Sequence, residues 1–258
     1  MNWKGNRTKL FVLLMLCVML LAGCSSTDPI TANSGGFWDK WFVYPLSQLI
    51  IGVADLFNGN FGLSIILVTV LVRLVILPLY IKSMKSTAKT QLIMPELKAI
   101  QDKYKGKTDQ ASQKKMQEQT MALYQKYQVN PLGGCLPMLI QMPILLAFYQ
   151  AILRTEEIMS HSFMWVHLGM PDPYYILPVL SGVSTYLQTL ISSQSQSQPM
   201  EGPMKIMYIM MPVMITFVGI SLPSALSFYW VIGNLFGMAQ VVLFNKFLKP
   251  RILQSTSK

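Results

Sequence analysis

The sequence predicts an all-α membrane protein with five transmembrane helices, a cytoplasmic helical hairpin and an outer interfacial helix. Three observations carry this. Just over half of the 258 residues are apolar and only 12% are charged, about half the charged fraction of a soluble domain. Five apolar segments, 61–81, 132–153, 174–191, 206–222 and 225–243, each approach the roughly 20 residues that cross a bilayer. The basic side chains are also one-sided: fifteen fall on the loops and tail of one face and two on the other. By the positive-inside rule the N-terminus is outside and the C-terminus cytoplasmic.

The chain opens "MNWKGNRTKLFVLLMLCVMLLAGC". Lys4, Arg7 and Lys9 precede an apolar core, and small residues precede Cys24. That order is a secretory signal peptide over 1–23, and "LAGC" is similar to a bacterial lipobox. Ala22 and Gly23 leave the backbone open to a peptidase, and the Cys24 thiol is the nucleophile toward a lipid donor. The alternative is an uncleaved anchor helix with an incidental cysteine. Residues 24–60 then form a lipidated extracytoplasmic segment, whose polar "SSTDPITANSGG" suits a flexible tether. Within it Trp38, Trp41, Phe42 and Tyr44 beside Asp39 and Lys40 suit an interfacial helix. Pro45 and Asp55 break its apolar run, so it is not counted as a crossing.

The first span occupies 61–83 and the cytoplasmic hairpin 84–131. In the hairpin Ile93, Leu97, Ile100 and Tyr104 recur at helical spacing, as do Met116, Leu123 and Tyr127. "GKTD" supplies the turn, Thr108 or Asp109 caps the second arm, and Pro95 is expected to kink or restart the first. Counted from Lys82 at the membrane edge, ten lysines against four acids give +6. A solvated hairpin and a docking surface for nascent chains or ribosome both fit that charge. Spans two to five occupy 132–244, with Pro223 turning the last two into a helical hairpin, and 245–258 is a basic tail. The net charge of +10 is thus a cytoplasmic feature suited to topology and anionic lipid; direct nucleic-acid binding is not expected.

Arg73 stands inside the first span, and none of the five spans carries Asp or Glu. A mid-bilayer cation costs roughly 2.5–3.5 kcal/mol on insertion scales. Lys82 marks the cytoplasmic edge, roughly 13 Å further on at 1.5 Å per residue, beyond comfortable snorkelling. The remaining solution is water. Ser181, Thr185, Gln188 and Ser192 form a polar stripe on the third span, with Gln141 on the second, Asn234 and Gln240 on the fifth and Thr69 above Arg73. Singly each reads as interhelical glue; with Arg73 they describe a hydrated cavity open to the cytoplasm with a positive field. Met204, Met207, Met210, Met211 and Met214 read first as core and second as a pliable apolar wall. Cys24 and Cys135 form neither a disulfide framework nor a metal spacing, and Cys135 reads as a small buried residue. No cofactor is expected.

The lipobox, the five spans, the arginine, the basic hairpin and "NPLGGCLPMLIQMPILLAFYQAI" at the second span together resemble the YidC family of membrane protein insertases. The likeness is to the lipoprotein-type members of Gram-positive bacteria, over 24 to about 248. The resemblance implies insertion and folding of membrane proteins, alone or beside the Sec translocon, without bond chemistry. It implies a groove closed to the outside, with Arg73 as its charge and Gln188, Trp230, Gln141 and Asn234 as its lining. The implied partners are nascent membrane proteins, the Sec translocon, the lipid bilayer and the ribosome, at a bacterial cell membrane with a palmitate-bearing N-terminus outside. The large extracytoplasmic domain of Gram-negative members is missing between Cys24 and Phe61, and the short tail weakens a tail-mediated ribosome contact.

Two other functions compete. An anion transporter or channel would use Arg73 as selectivity charge, but needs a polar path in the outer half of the first span, where none is seen. A membrane enzyme would need more than His161 and His167, which have no carboxylate or thiol at catalytic spacing.

Overall fold

The computed structural model describes residues 28–130, 136–194, 203–250 and 252. The signal peptide, Cys24, Cys135 and most of the basic tail lie outside these residues, as do the side chains of Met204 and Met207. The described chain is mostly helical. A wide helical turn, Asp39–Val43, leads into α1 (Tyr44–Leu56). Then follow α2 (Phe61–Lys103), α3 (Gln110–Lys126), α4 (Leu136–Arg154) and the short α5 (Glu156–Ser160). A two-residue strand pair, β1 (Ser162–Phe163) and β2 (Val166–His167), precedes α6 (Ile176–Gln194), α7 (Pro203–Ser221) and α8 (Ser224–Leu243).

In α2 the Asn60 side chain accepts the Leu63 N–H at 2.9 Å, satisfying one free donor of the first turn. The helix then runs unbroken for 43 residues, through Pro78 and Pro95. The first span and the first hairpin arm are therefore one helix, so Pro95 does not restart it. An interior proline removes one backbone bond, but packing on both sides of it holds the helix. Ile93 and Leu97 bury against Leu123 and Val129. Gly106, at φ +80°, takes the left-handed turn position between the arms. Asp109 caps α3 by accepting the Ser112 N–H at 2.8 Å, a bond that holds its carboxyl below the usual aspartate range.

Two described helices are long and apolar enough to cross a membrane, Phe61–Lys103 and Ser224–Leu248, and Leu139–Arg154 and Tyr208–Ser221 are shorter apolar helices. Helices α2, α6 and α8 start together. Phe61, Leu177 and Ala225 lie in one buried cluster with Ile65, Val68, Phe148, Ile152 and Tyr229. We call this end of the bundle upper and the hairpin end lower. Helix α8 is central, packed by α2 on one side and α6 on the other, and α7 packs on α6. Gly182 admits the Thr216 hydroxyl of α7, since a Cβ there would stand 1.9 Å from its oxygen. Met210, Met211 and Met214 point outward from α7, so the core reading of these methionines does not hold.

The upper end is capped by loop and N-terminal segment. Leu168 and Ile158 are fully buried, Leu168 O accepts the Ala225 N–H, and Phe163 lies on Gly62. Asp172 accepts the Leu177 N–H at 2.7 Å and caps α6. The Arg154 guanidinium meets the Asp39 carboxylate in a two-pronged pair at 2.8 and 2.7 Å, and its Nε donates to Asp28 O at 2.7 Å. Ile30 N donates to Arg154 O, Trp38 Nε1 to Gln150 Oε1, and Ser47 bonds Thr155. These contacts lash residues 28–56 across the top of α4.

Candidate functional site

The dry core stops about 18 Å down the bundle, where Arg73 projects from α2. By the same rise Asn234 is about 15 Å below the start of α8 and Gln188 about 18 Å below the start of α6. Helix phase and parallel direction thus bring three polar residues from three helices to one level. Neither α2 nor α4 makes a substantial contact with α6. We call the face of α8 between them the floor.

Two glycines on that floor make the room. A Cβ on Gly233 would lie 2.6 Å from Arg73 Nη2, and one on Gly237 would lie 2.3 Å from Gln188 Nε2. Glycines four apart share a helix face, so guanidinium and amide sit one turn apart on bare backbone. Arg73 is 8% exposed, yet no acceptor holds its guanidinium among the described residues. Gln188 also has no hydrogen-bond partner among them. Arg154 shows the contrast: where this fold neutralises an arginine, it supplies a carboxylate in full bidentate geometry.

The α6 wall is hydrogen-bonded to the floor. Asn234 Nδ2 donates to Ser184 Oγ at 2.9 Å and to Thr185 Oγ1 at 2.8 Å, and Trp230 Nε1 donates to Thr185 Oγ1 at 3.1 Å. On the α4 side Gln141 Nε2 donates to the Tyr229 hydroxyl at 2.5 Å. The Tyr229 ring packs at a 30° tilt on Phe148, 4.4 Å between centroids, so it closes the apolar core while its hydroxyl bonds Gln141. The sequence-predicted residues Arg73, Gln141, Gln188, Trp230 and Asn234 therefore all lie along one side of α8. Ser181 joins them higher up, near Ser227 O. Thr69 turns its hydroxyl back to Ile65 O and does not reach the groove. Missed by the sequence reading were Gly233, Gly237, Ser184 and Tyr229. The Gly-x-x-x-Gly spacing in the last helix was the available signal.

Replacing Gly233 by alanine drives a methyl into the guanidinium. The displaced atoms end a flexible side chain, so stability is expected to change by no more than about 1 kcal/mol. Activity is expected to fall, because the charge must leave the floor. Thermal unfolding and an activity assay on the same preparation check both halves.

A family model described as 60Kd inner membrane protein matches residues 53–251. The membrane protein insertase MisCA of Bacillus subtilis is 54% identical over 228 residues, 87% of this chain and 86% of that protein. Membrane protein insertase YidC 2 of Listeria innocua is 51% identical over 251 residues, 96% of this chain and 87% of its own length. Among solved structures, an active YidC insertase crystal structure with its first transmembrane domain resolved matches with a TM-score of 0.60 at 31% identity. That match covers 80% of this chain but 46% of the longer one. With a family model spanning most of its length and relatives half identical to it nearly end to end, the chain belongs to the YidC family of membrane protein insertases.

Proposed function

We propose that this protein inserts integral membrane proteins and helps them fold, and that the groove on α8 is where a client's polar segment is held. The observation that carries this is a buried guanidinium with no protein counter-ion among the described residues. A buried cation without a partner is tolerable only where water or a transient anion reaches it. A groove wet partway into the bilayer shortens the apolar path of a polar segment, and Arg73 attracts acidic residues in it. The client's apolar helix leaves sideways into lipid, driven by burial of its surface. The membrane potential assists acidic segments moving outward by about 2.3 kcal/mol per charge per 100 mV. No bond is made or broken, so this function is not enzymatic.

In this reading the chain crosses the bilayer five times, with the upper end outside and the hairpin in the cytoplasm. The short apolar helices α4 and α7, together with α6, add three crossings to α2 and α8. The segment from Asp39 to Leu56 lies along the outer interface, supported by the exposed Phe37 and Trp41 beside buried Val43 and Ile50. Cys24 is lipidated and the N-terminus outside. Clients arrive from the ribosome or through the Sec translocon, and the lysine-rich hairpin and tail meet them and anionic lipid. Mass spectrometry of the mature chain is expected to show a diacylglycerol adduct on Cys24; an unshifted mass removes the lipid from this account.

The test of the function is reconstitution. Liposomes containing only this polypeptide are expected to insert a single-span protein with an acidic translocated tail, scored by protease protection. Failure with active preparations of the client, or anion flux that vanishes in Arg73→Ala, would favour another function.

A further inference from the structure

Helix α2 is exposed along one stripe, and the stripe changes chemistry where the helix leaves the bilayer. Leu71, Leu74 and Pro78 are exposed on it, followed by exposed Lys82, Lys85 and Lys89. Each is three or four residues from the next, so all of them share one side of an unbroken helix. Arg73 is buried on the side turned away from them. The side that meets lipid higher up therefore carries ammonium groups lower down. Topology requires only that lysines be cytoplasmic; it does not require them on the lipid-facing side.

The depth of these lysines is that of lipid phosphate. From Phe61 to Lys82 the helix rises about 32 Å, close to the roughly 30 Å of a hydrocarbon layer. Lys85 and Lys89 stand about 5 and 10 Å lower. Helical side chains lean toward the helix N-terminus, here up toward the membrane, and flexible stems bring the three ammoniums into the headgroup layer. No carboxylate pairs with any of them among the described residues. The next acid on the same side, Glu96, is engaged by Lys126 at 3.6 Å and by the Tyr127 hydroxyl. Unpaired cations on one helix face at phosphate level make a surface complementary to anionic headgroups.

We propose that Lys82, Lys85 and Lys89 form a binding site for anionic phospholipid of the cytoplasmic leaflet, on the side of α2 away from Arg73. This rests on the orientation given above, with the hairpin in the cytoplasm. The lipid's phosphate lies among the ammoniums and its chains run up along Leu74 and Leu71. Because α2 is continuous from Lys89 to Arg73, lipid held there fixes the depth of the helix in the bilayer, and the depth of Arg73 with it.

The experiment mixes the full chain with phosphatidylglycerol and phosphatidylcholine of identical acyl chains and counts the lipids retained by mass spectrometry of the intact complex. Phosphatidylglycerol is expected to be retained preferentially. Lys82→Gln, Lys85→Gln and Lys89→Gln are each expected to lower that preference about fivefold, the effect of one cation at an anionic surface. Together they are expected to abolish it without lowering the unfolding temperature, and arginine at the three positions is expected to keep it. Lys103→Gln, Lys105→Gln and Lys107→Gln, combined, remove the same charge from the far end of the hairpin and are expected to leave the preference unchanged.

Equal loss in the two triple variants, or no loss in the first, would overturn the site. So would displacement of the lipid by an equal concentration of inorganic phosphate, which would make it a site for free anions. Slowed insertion of acidic clients in the first triple variant with lipid preference intact would assign the stripe to client chains instead. The orientation is scored separately, by protease added to inside-out membrane vesicles. A protected hairpin would overturn the orientation, whereas a cleaved hairpin with unaltered lipid preference in the triple variant overturns the lipid site alone.

Discussion

Arg73→Ala is expected to abolish insertion of clients whose translocated ends are acidic, while the protein itself folds at least as well as before. A unit charge about 4 Å from a carboxylate at an effective dielectric near 20 is worth about 4 kcal/mol. Water in the groove reduces that, so a loss of about a hundredfold in insertion rate, ~2.7 kcal/mol, is the expected scale. Stability should not suffer, because no carboxylate is bonded to Arg73 among the described residues and none is orphaned by its removal. Arg73→Lys is expected to keep much of the activity, since the requirement is a positive field. Insertion assays on the three proteins, with unfolding curves beside them, check each part. Equal loss in the lysine variant would mean that the planar fork of donors is needed as well as the charge.

Arg154 is expected to behave in the opposite way. Its side chain is 3% exposed and that of Asp39 is 10%, and the pair is bidentate. Removing one partner of such a pair leaves a buried charge alone and costs about 3–5 kcal/mol. Arg154→Met or Asp39→Asn is therefore expected to lower the unfolding temperature sharply. The double variant should recover part of that loss, because no lone charge remains. In Arg154→Met the damage should reach past these residues, since Arg154 Nε also donates to Asp28 O, although the backbone bond from Ile30 N to Arg154 O stays in place. A double-mutant cycle read by thermal unfolding measures the coupling. Two arginines in one apolar fold, one paired and one not, would then be separated into a structural fastener and a functional charge.

Much of the site was legible because polar groups in apolar helices stand out. Arg73, Gln188 and Asn234 each contradict the hydropathy around them, and their depths along three parallel helices predict a shared level before any packing is known. Gly233 and Gly237 were not legible, because a glycine pair in an apolar helix reads first as helix–helix contact. Only the positions of Arg73 and Gln188 reveal that the vacated space holds polar heads. The Arg154–Asp39 pair was also hidden. The two residues lie 115 positions apart and no periodicity links them. The unbroken run of α2 through Pro95 shows tertiary packing overriding a local signal: Ile93 and Leu97 are held by Leu123 and Val129 on the other arm. Asp109 was anticipated as one of two caps, beside Thr108, because capping depends on local sequence, and the structure selects it.

The central claim is a groove wet from the cytoplasmic side and sealed above by the core around Ile65, Val68 and Tyr229. The most direct measurement labels single cysteines with a membrane-impermeant thiol reagent added from either side of a sealed membrane, in a chain whose Cys135 is replaced by alanine. The account predicts that Gln188→Cys and Gly237→Cys label from the cytoplasmic side alone and that Val68→Cys labels from neither. Labelling at position 68 from outside would mean a continuous pore, and silence at positions 188 and 237 would mean that Arg73 lies against dry hydrocarbon; either result contradicts the account.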